Sequence, residues 1–279
     1  MEILWNGRRS EPFTPQRGIR QGDPISPYLF ILCMERLSRL INKAAGERRW
    51  KGMKASRSGP LITHLMFADD LFLFAEASVE QAREVGKTLE EFFMLSGQKV
   101  NVSKSKLFAS SNVPRQVVRE MCRLTGVKET QDLGKYLGMP ILHTKVNKAT
   151  YTELLDKVRS RLAGWQSKQL SFVGRATLIK SVLTTVPNYS MQTSLLPCSV
   201  VEEIEKIARG FLWGDSPTER KLHHVGWGEV SQPKGRGGLG IRRLSRVNKA
   251  LLAKASWRLM DSDEALWKQV LREKYCGRQ

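Results

Sequence analysis

Thr63-His64-Leu65-Met66-Phe67-Ala68-Asp69-Asp70-Leu71-Phe72-Leu73-Phe74 sets two adjacent carboxylates in the middle of an otherwise apolar run. Asp is disfavoured inside strands and favoured in turns. The run therefore predicts strand, tight turn, strand, with the acids at the tip. Flanking strands this apolar are expected to be buried, holding the two charges in one place. Carboxylates so held need a cation to offset desolvation and mutual repulsion. Mg2+ suits them, because it prefers hard oxygen ligands and usually takes one or two carboxylates together with phosphate oxygens. The competing reading is an ordinary hairpin whose turn carries two solvated acids.

Upstream lies Arg17-Gly18-Ile19-Arg20-Gln21-Gly22-Asp23-Pro24-Ile25-Ser26-Pro27-Tyr28-Leu29-Phe30. This is a glycine- and proline-punctuated loop feeding a helix, with proline where a first helical turn tolerates it. Beyond it, Leu29, Leu32, Cys33, Leu37, Leu40, Ile41 and Ala44 recur at helical spacing and predict one buried face. Gly22 lets a base pair or nucleotide approach the backbone, and Arg20 and Gln21 supply donors.

Taken together, Arg-Gln-Gly-Asp-Pro-Ile-Ser-Pro followed by Phe-Ala-Asp-Asp resembles a reverse transcriptase of the non-LTR (LINE-type) retrotransposons, most closely the plant members. The likeness continues through Ser96-Gly97-Gln98-Lys99-Val100-Asn101-Val102-Ser103-Lys104-Ser105-Lys106 and Tyr136-Leu137-Gly138-Met139-Pro140. It also takes in Leu170–Arg175, Phe211-Leu212-Trp213-Gly214 and Gly237-Gly238-Leu239-Gly240-Ile241, so nearly the whole chain is covered. The resemblance implies an RNA-directed DNA polymerase using Mg2+ (or Mn2+), deoxynucleoside triphosphates, an RNA template and a DNA primer. Asp69 would ligate metal and Asp70 would assist or ligate more weakly, with Phe67 and Ala68 shaping the turn beside the primer end. Arg20, Gln21, Gly22, Ser26 and Pro27 would line the nucleotide and template pocket, and Lys104 would lie near the triphosphate as a general acid. Tyr136, Leu137, Gly138 and Met139 match the hairpin that grips the primer. Arg161, Lys168, Arg175 and Lys180 are candidates for contacts to the nucleic-acid backbone.

The charge fits that reading. The 279 residues hold 46 Lys and Arg against 27 Asp and Glu, a net charge of +19. Residues 1–110 carry 17 basic and 12 acidic groups, and residues 111–279 carry 29 and 15. Such a field favours a polyanion. Cys33, Cys122, Cys198 and Cys276 are widely spaced, which argues against a disulfide framework and a complete zinc site and suits a reducing compartment. His223 and His224 are adjacent, not at ligand spacing. No signal peptide is visible, and the longest apolar run, Ile25 to Met34, is too short for a membrane span, so an intracellular and nuclear location is expected.

The predicted fold class is α+β: a partial polymerase palm, an antiparallel sheet with helices, over 1–145, then a mostly helical thumb-like region over 146–279. Ser78-Val79-Glu80-Gln81 has the form of a capping box, Ala82, Val85, Leu89, Phe92 and Phe93 form the helix's buried stripe, and Gly97 is placed to end it. Lys99–Val102 and Leu107–Ala109 are expected to pair as strands, and a further helix to run from Pro114 to Gly126. Helices are predicted at 148–163, 174–186, 199–212 (with a capping box at Ser199 and Glu202), 247–260 and 264–275.

Gly235-Arg236-Gly237-Gly238-Leu239-Gly240 formally contains G-x-G-x-x-G, but Ser231-Gln232-Pro233-Lys234 precedes it where a dinucleotide site needs a buried strand. Trp165, Trp213, Trp227, Trp257 and Trp267 are read as core in preference to base-stacking platforms. The family's first motif, an Asp in an Asp-x-x-x-Ala-Phe-Asp-type strand, has no counterpart in these residues. The expectation is a truncated palm, inactive as a polymerase and poorly soluble. The alternatives are a non-catalytic basic nucleic-acid-binding remnant and a group II intron maturase-like protein.

Overall fold

The computed structural model describes residues 2–14, 18–143, 145–166, 170–215, 219–261 and 263–276, apart from the side chains of Trp165 and Gln166. The chain divides into two compact units, Met1–Leu133 with Glu264–Gln279, and Gly134–Asp263.

The first unit opens on a hairpin of β1 (Leu4–Trp5) and β2 (Arg8–Arg9), whose Asn6-Gly7 turn has both residues at positive φ. Helix α1 (Ser26–Gly46) follows, with Pro27 in its first turn. Then come the small hairpins β3 (Met53–Lys54) with β4 (Leu61–Ile62), and β5 (His64–Phe67) with β6 (Asp70–Leu73). Helix α2 (Val79–Ser96), strand β7 (Lys106–Leu107), helix α3 (Arg115–Thr125) and strand β8 (Lys128–Glu129) complete the continuous part. Leu37, Leu40, Ile41, Ala44, Trp50 and Phe92 are buried together, with Val85, Leu89, Met66 and Leu71 packed against them. The C-terminal half of α1 and the predicted stripe of α2 are thus the core. The N-terminal half of α1 is not: Leu29 and Leu32 are exposed, Leu32 to 66%, because the core covers only the later turns.

Three local expectations change. Ser78 Oγ accepts from Gln81 N, but the Gln81 side chain does not return to close a capping box. It reaches back thirty residues, accepting from Lys51 N (2.7 Å) and donating to Arg49 O (2.8 Å), and so ties α2 to the turn after α1. Residues 99–102 form no strand. Asn101 O instead accepts from Lys104 N and Ser105 N, and Asn101 Oδ1 from Ser103 Oγ at 2.6 Å, so turn chemistry prevails. Strand β7 pairs in parallel with β8. Among the described residues every sheet has two strands, and these small, mostly antiparallel sheets set among helices make the α+β mix expected from the sequence.

The second unit begins with β9 (Lys135–Tyr136) and β10 (Met139–Pro140), and continues through α4 (Thr152–Gln166), α5 (Phe172–Leu178), α6 (Asn188–Thr193), α7 (Cys198–Trp213), α8 (Trp227–Val230) and α9 (Leu244–Met260). The last helix, α10 (Leu266–Tyr275), is grouped with the first unit. The β9–β10 hairpin is bonded to later helices of the second unit. Lys135 pairs with Glu153, Tyr189 Oη donates to Leu137 O at 2.7 Å, and Thr193 lies against Met139. The predicted helix over 174–186 is broken after Leu178 by a π-turn, Ile179–Leu183. Helix α7 starts at Cys198 behind Pro197 with no side-chain cap, so Ser199 and Glu202 do not form the predicted box. Its face Val200, Val201, Ile204, Ala208, Phe211 and Leu212 joins Val158, Ile179, Leu183 and Met191 in the larger core. Buried Glu205 stitches that core, accepting from Trp227 Nε1 (3.1 Å) and Leu244 N (2.9 Å).

Candidate functional site

The decisive run forms the hairpin its composition predicts, with Phe67 paired to Asp70 and Ala68-Asp69 as the turn. Only Asp69 is in the turn; Asp70 opens β6. Neither strand is fully buried: Leu65 is 39% exposed and Phe67 59%. Both carboxylates are exposed. Desolvation therefore does not force a cation on them, and the case for metal rests on adjacency and position. At the other end of β5, Thr63 and Ser38 hydroxyls bracket His64, at 2.9 Å from Nδ1 and 3.0 Å from Nε2. Burial holds the His64 pKa below its usual value, against the opposing pull of Glu35.

Ala68 sits at φ +50°, in the left-handed region that costs an L-residue about 1–2 kcal/mol. Ala68→Gly removes that strain while adding freedom to the unfolded chain. The expected net effect is a gain of about 0.5–1 kcal/mol, read as a higher urea midpoint. Ala68→Val should lower it.

The loop before α1 is folded by its own polar groups. Ser26 Oγ donates to Arg20 O at 2.7 Å, Ser26 N donates to Asp23 O, and Ile25 N donates to Asp23 Oδ1. Ser26 is thus buried as a strut, while Arg20, Gln21 and Pro27 are exposed. Gly22 has φ +85° and open space where a Cβ would stand. Its glycine character has two causes, the backbone conformation and a clear approach. Lys104 is exposed on the Asn101 turn.

In the second unit, Leu137 (φ +50°) and Gly138 (φ +81°) make the two-residue turn between β9 and β10. A leucine there is out of keeping with the Asn-Gly chemistry such turns favour. Tyr189 supports it, by its hydroxyl on Leu137 O and by lying 3.7 Å from where a Gly138 Cβ would be. Of the backbone-contact candidates, Arg161 is exposed, Lys180 is half-buried in the π-turn, and Lys168 lies outside the described residues. Arg175 is committed elsewhere. Its Nε donates to Leu212 O at 2.9 Å and its Nη1 to Leu170 O at 2.8 Å.

The model of the reverse transcriptase (RNA-dependent DNA polymerase) family matches residues 2–141. The chain belongs to that family. The match runs from β1 through β10, so it includes the carboxylate hairpin, the Gly22 loop and the Leu137-Gly138 hairpin. The chain is 45% identical over 137 residues to an Arabidopsis thaliana protein named for ribonuclease H, covering 49% of this chain and 22% of that protein. It is 29% identical over 255 residues to the Pol polyprotein of the type-2 retrotransposable element R2DM of Drosophila melanogaster, covering 87% and 22%. A type-1 element R2 Pol polyprotein of Popillia japonica is 25% identical over 232 residues, covering 80% and 35%. The chain thus spans about a fifth to a third of these relatives' lengths. The retrotransposable-element relatives agree with the LINE-type affinity read from the motifs.

For metal, the donor set fits in part. Asp69 and Asp70 offer hard oxygens suited to one divalent ion shared with phosphate oxygens. Among the described residues no three His, Cys, Asp or Glu side chains converge as a complete ligand set. No described helix is long and apolar enough to cross a membrane.

The rejected G-x-G-x-x-G stays rejected: Lys234–Arg236 is a 3-10 turn, and a Gly238 Cβ would stand 2.1 Å from Gln232 O, which explains that glycine by packing. Of the tryptophans, Trp213 and Trp227 are core as expected, while Trp257 is 73% exposed and Trp267 is also exposed. Sequence reasoning missed Trp50, buried with its Nε1 donating to Phe74 O at 2.9 Å behind the carboxylate hairpin. A lone aromatic in a polar turn carried no periodic signal.

Proposed function

We propose that this chain carries the carboxylate hairpin and nucleotide-facing loop of an RNA-directed DNA polymerase, one that adds deoxynucleotides to a DNA primer on an RNA template. The observation that carries the reading is Asp69-Asp70 exposed at a strained two-residue hairpin turn, within a matched polymerase family. Asp69 and Asp70 hold the divalent ion, Mg2+ or in its place Mn2+. When bound, it neutralises triphosphate charge and polarises the reacting oxygens. Gly22 leaves room for the nascent base pair, Arg20 and Gln21 donate to it, and Lys104 stands ready to protonate the leaving pyrophosphate. Tyr136 to Met139 hold the primer backbone without reading its sequence. A plant element and a nuclear site of action accompany this reading; the Arabidopsis relative supports the first.

Two metal ions need a bridging carboxylate, and no Asp of these 279 residues lies in the family's first-motif pattern. The second reading is that these residues bind nucleic acid without extending a primer. The net charge of +19 favours this second, non-catalytic role. The test is primer extension on an RNA template with Mg2+ or Mn2+, run beside binding of the same primer–template at several salt concentrations. Salt-sensitive binding without extension is expected of the chain and of Asp69→Asn alike. Extension lost in Asp69→Asn overturns the inactivity and upholds the assignment of Asp69. Absence of binding overturns both roles.

A further inference from the structure

The second unit contains a recess of about 630 Å³ lined by residues of α4 and α7 and by Asp215, Arg220, Lys221 and His223. Its wall carries five cationic side chains against two carboxylates. The carboxylates are already engaged. Glu203 pairs with Arg159 (3.0 Å) and Lys148 (3.6 Å). Asp215 accepts from Lys221 N at 3.0 Å and lies 3.2 Å from His223 Nε2. Trp213 stacks on His223, with ring centroids 6.0 Å apart, and fixes its position. Lys221 Nζ lies 3.7 Å from a Glu219 carboxylate oxygen, and Lys206, Arg209 and Arg220 leave an excess of positive charge. Arg209 Nε is buried with no hydrogen-bond partner among the described residues. A buried guanidinium N–H without an acceptor is costly, and an anion seated in the recess would supply one.

We infer that this recess is a phosphate-binding site that seats the sugar–phosphate backbone of a nucleic-acid strand, with Arg209 at its base and Lys206, Arg220 and Lys221 at its rim. On an ordinary solvated basic face every donor would reach water. Here the charges share a concavity whose acids are spoken for, and one donor is withheld from water. Contacts of this kind position a strand without reading bases. The inference is independent of the catalytic reading, since it involves neither carboxylate of the hairpin and is tested by binding alone.

The test measures binding of a fluorescently labelled RNA–DNA hybrid to the full chain by anisotropy. The rim variant is Lys206→Gln/Arg220→Gln/Lys221→Gln, exposed positions whose loss spares the fold. The control is Arg242→Gln/Arg246→Gln/Lys249→Gln, the same charge change on exposed residues around α9. The rim variant should weaken binding about tenfold and flatten the salt dependence by two to three phosphate contacts, with the control changing little. Arg209→Gln should weaken it in the same way. Equal losses in rim variant and control would overturn the inference, reducing it to net charge. Displacement of a labelled nucleotide by pyrophosphate, with hybrid affinity unaltered in the rim variant, would also overturn it by assigning the recess to free polyphosphate.

Discussion

Asn248→Leu should remove most of the stability of the second unit. Asn248 is 1% exposed and makes three hydrogen bonds from inside the core. Its Oδ1 accepts from Leu196 N at 2.8 Å, and its Nδ2 donates to Met191 O at 2.8 Å and Ser194 O at 2.9 Å. Those carbonyls lie at the end of α6, where a helix has no partners of its own for its last C=O groups. Leucine matches the volume and strands one donor and two acceptors where water does not reach. Each buried unsatisfied group costs about 1–3 kcal/mol, so for three of them a loss on the order of 3–9 kcal/mol is expected. Against a typical total of about 5–15 kcal/mol, that threatens the fold. Urea unfolding followed by tryptophan emission reads it, since Trp213 and Trp227 belong to this core. A loss under about 1 kcal/mol would mean that the bonds contribute little net.

Asn248→Asp sharpens the point through pH. A protonated carboxyl can donate to one of the two carbonyls, whereas a carboxylate facing both is repelled and desolvated. The folded-state pKa of the new group is raised above its unfolded value. Its stabilising protonated form is therefore complete below the unfolded pKa, and stability falls as pH rises through the folded one. The variant should thus be more stable in mild acid than at neutral pH relative to the parent chain.

What the sequence made legible follows from signal strength. The carboxylate hairpin was readable because two Asp residues interrupt an apolar run, and the stripe of α2 because its period of 3.6 is sustained over four turns. The strands at 99–102 were misread because β-branched residues there are outbid by Asn101, whose side chain and carbonyl organise a turn. The predicted burial of β5 and β6 is met only in part, for a different reason. Apolar composition states what a strand can bury, and only partner strands decide whether it does; this hairpin has two strands. Long-range polar ties such as Gln81 to Lys51 and Glu205 to Leu244 have no local pattern at all.

Site residues divide along the same line. Gly22 was singled out for access, and its φ of +85° adds a conformational demand that spacing alone does not reveal. Ser26, grouped with the nucleotide pocket by its motif, turns its hydroxyl inward to Arg20 O. The basic recess has no local signature in the sequence, because its members are drawn from Arg159, Lys206 and residues 220–221, far apart along the chain. Dispersed charge becomes a site only after folding.

Arg175→Ala should separate structural from nucleic-acid roles among the basic residues of the second unit. The guanidinium bridges two backbone carbonyls, Leu212 O in the last turn of α7 and Leu170 O ahead of α5. Beside it Gly214, at φ +82°, ends α7, and a Cβ there would lie 3.4 Å from the guanidinium carbon. A cation at a helix C-terminus also meets the negative end of the helix dipole. Two charge-assisted bonds at about 1.5–3 kcal/mol each predict a destabilisation on the order of 3–6 kcal/mol. Arg175→Lys keeps the charge but has no planar fork to reach both carbonyls, so it should recover less than half. Under conditions where the variant remains folded, its affinity for an RNA–DNA hybrid should stay within about twofold of the parent, with an unchanged salt slope. The rim variant of the basic recess should show the opposite pattern, an intact urea midpoint with weakened binding. A tenfold loss of affinity in Arg175→Ala at unaltered stability would return this arginine to the strand-contacting role its motif suggested and remove the capping account of α7.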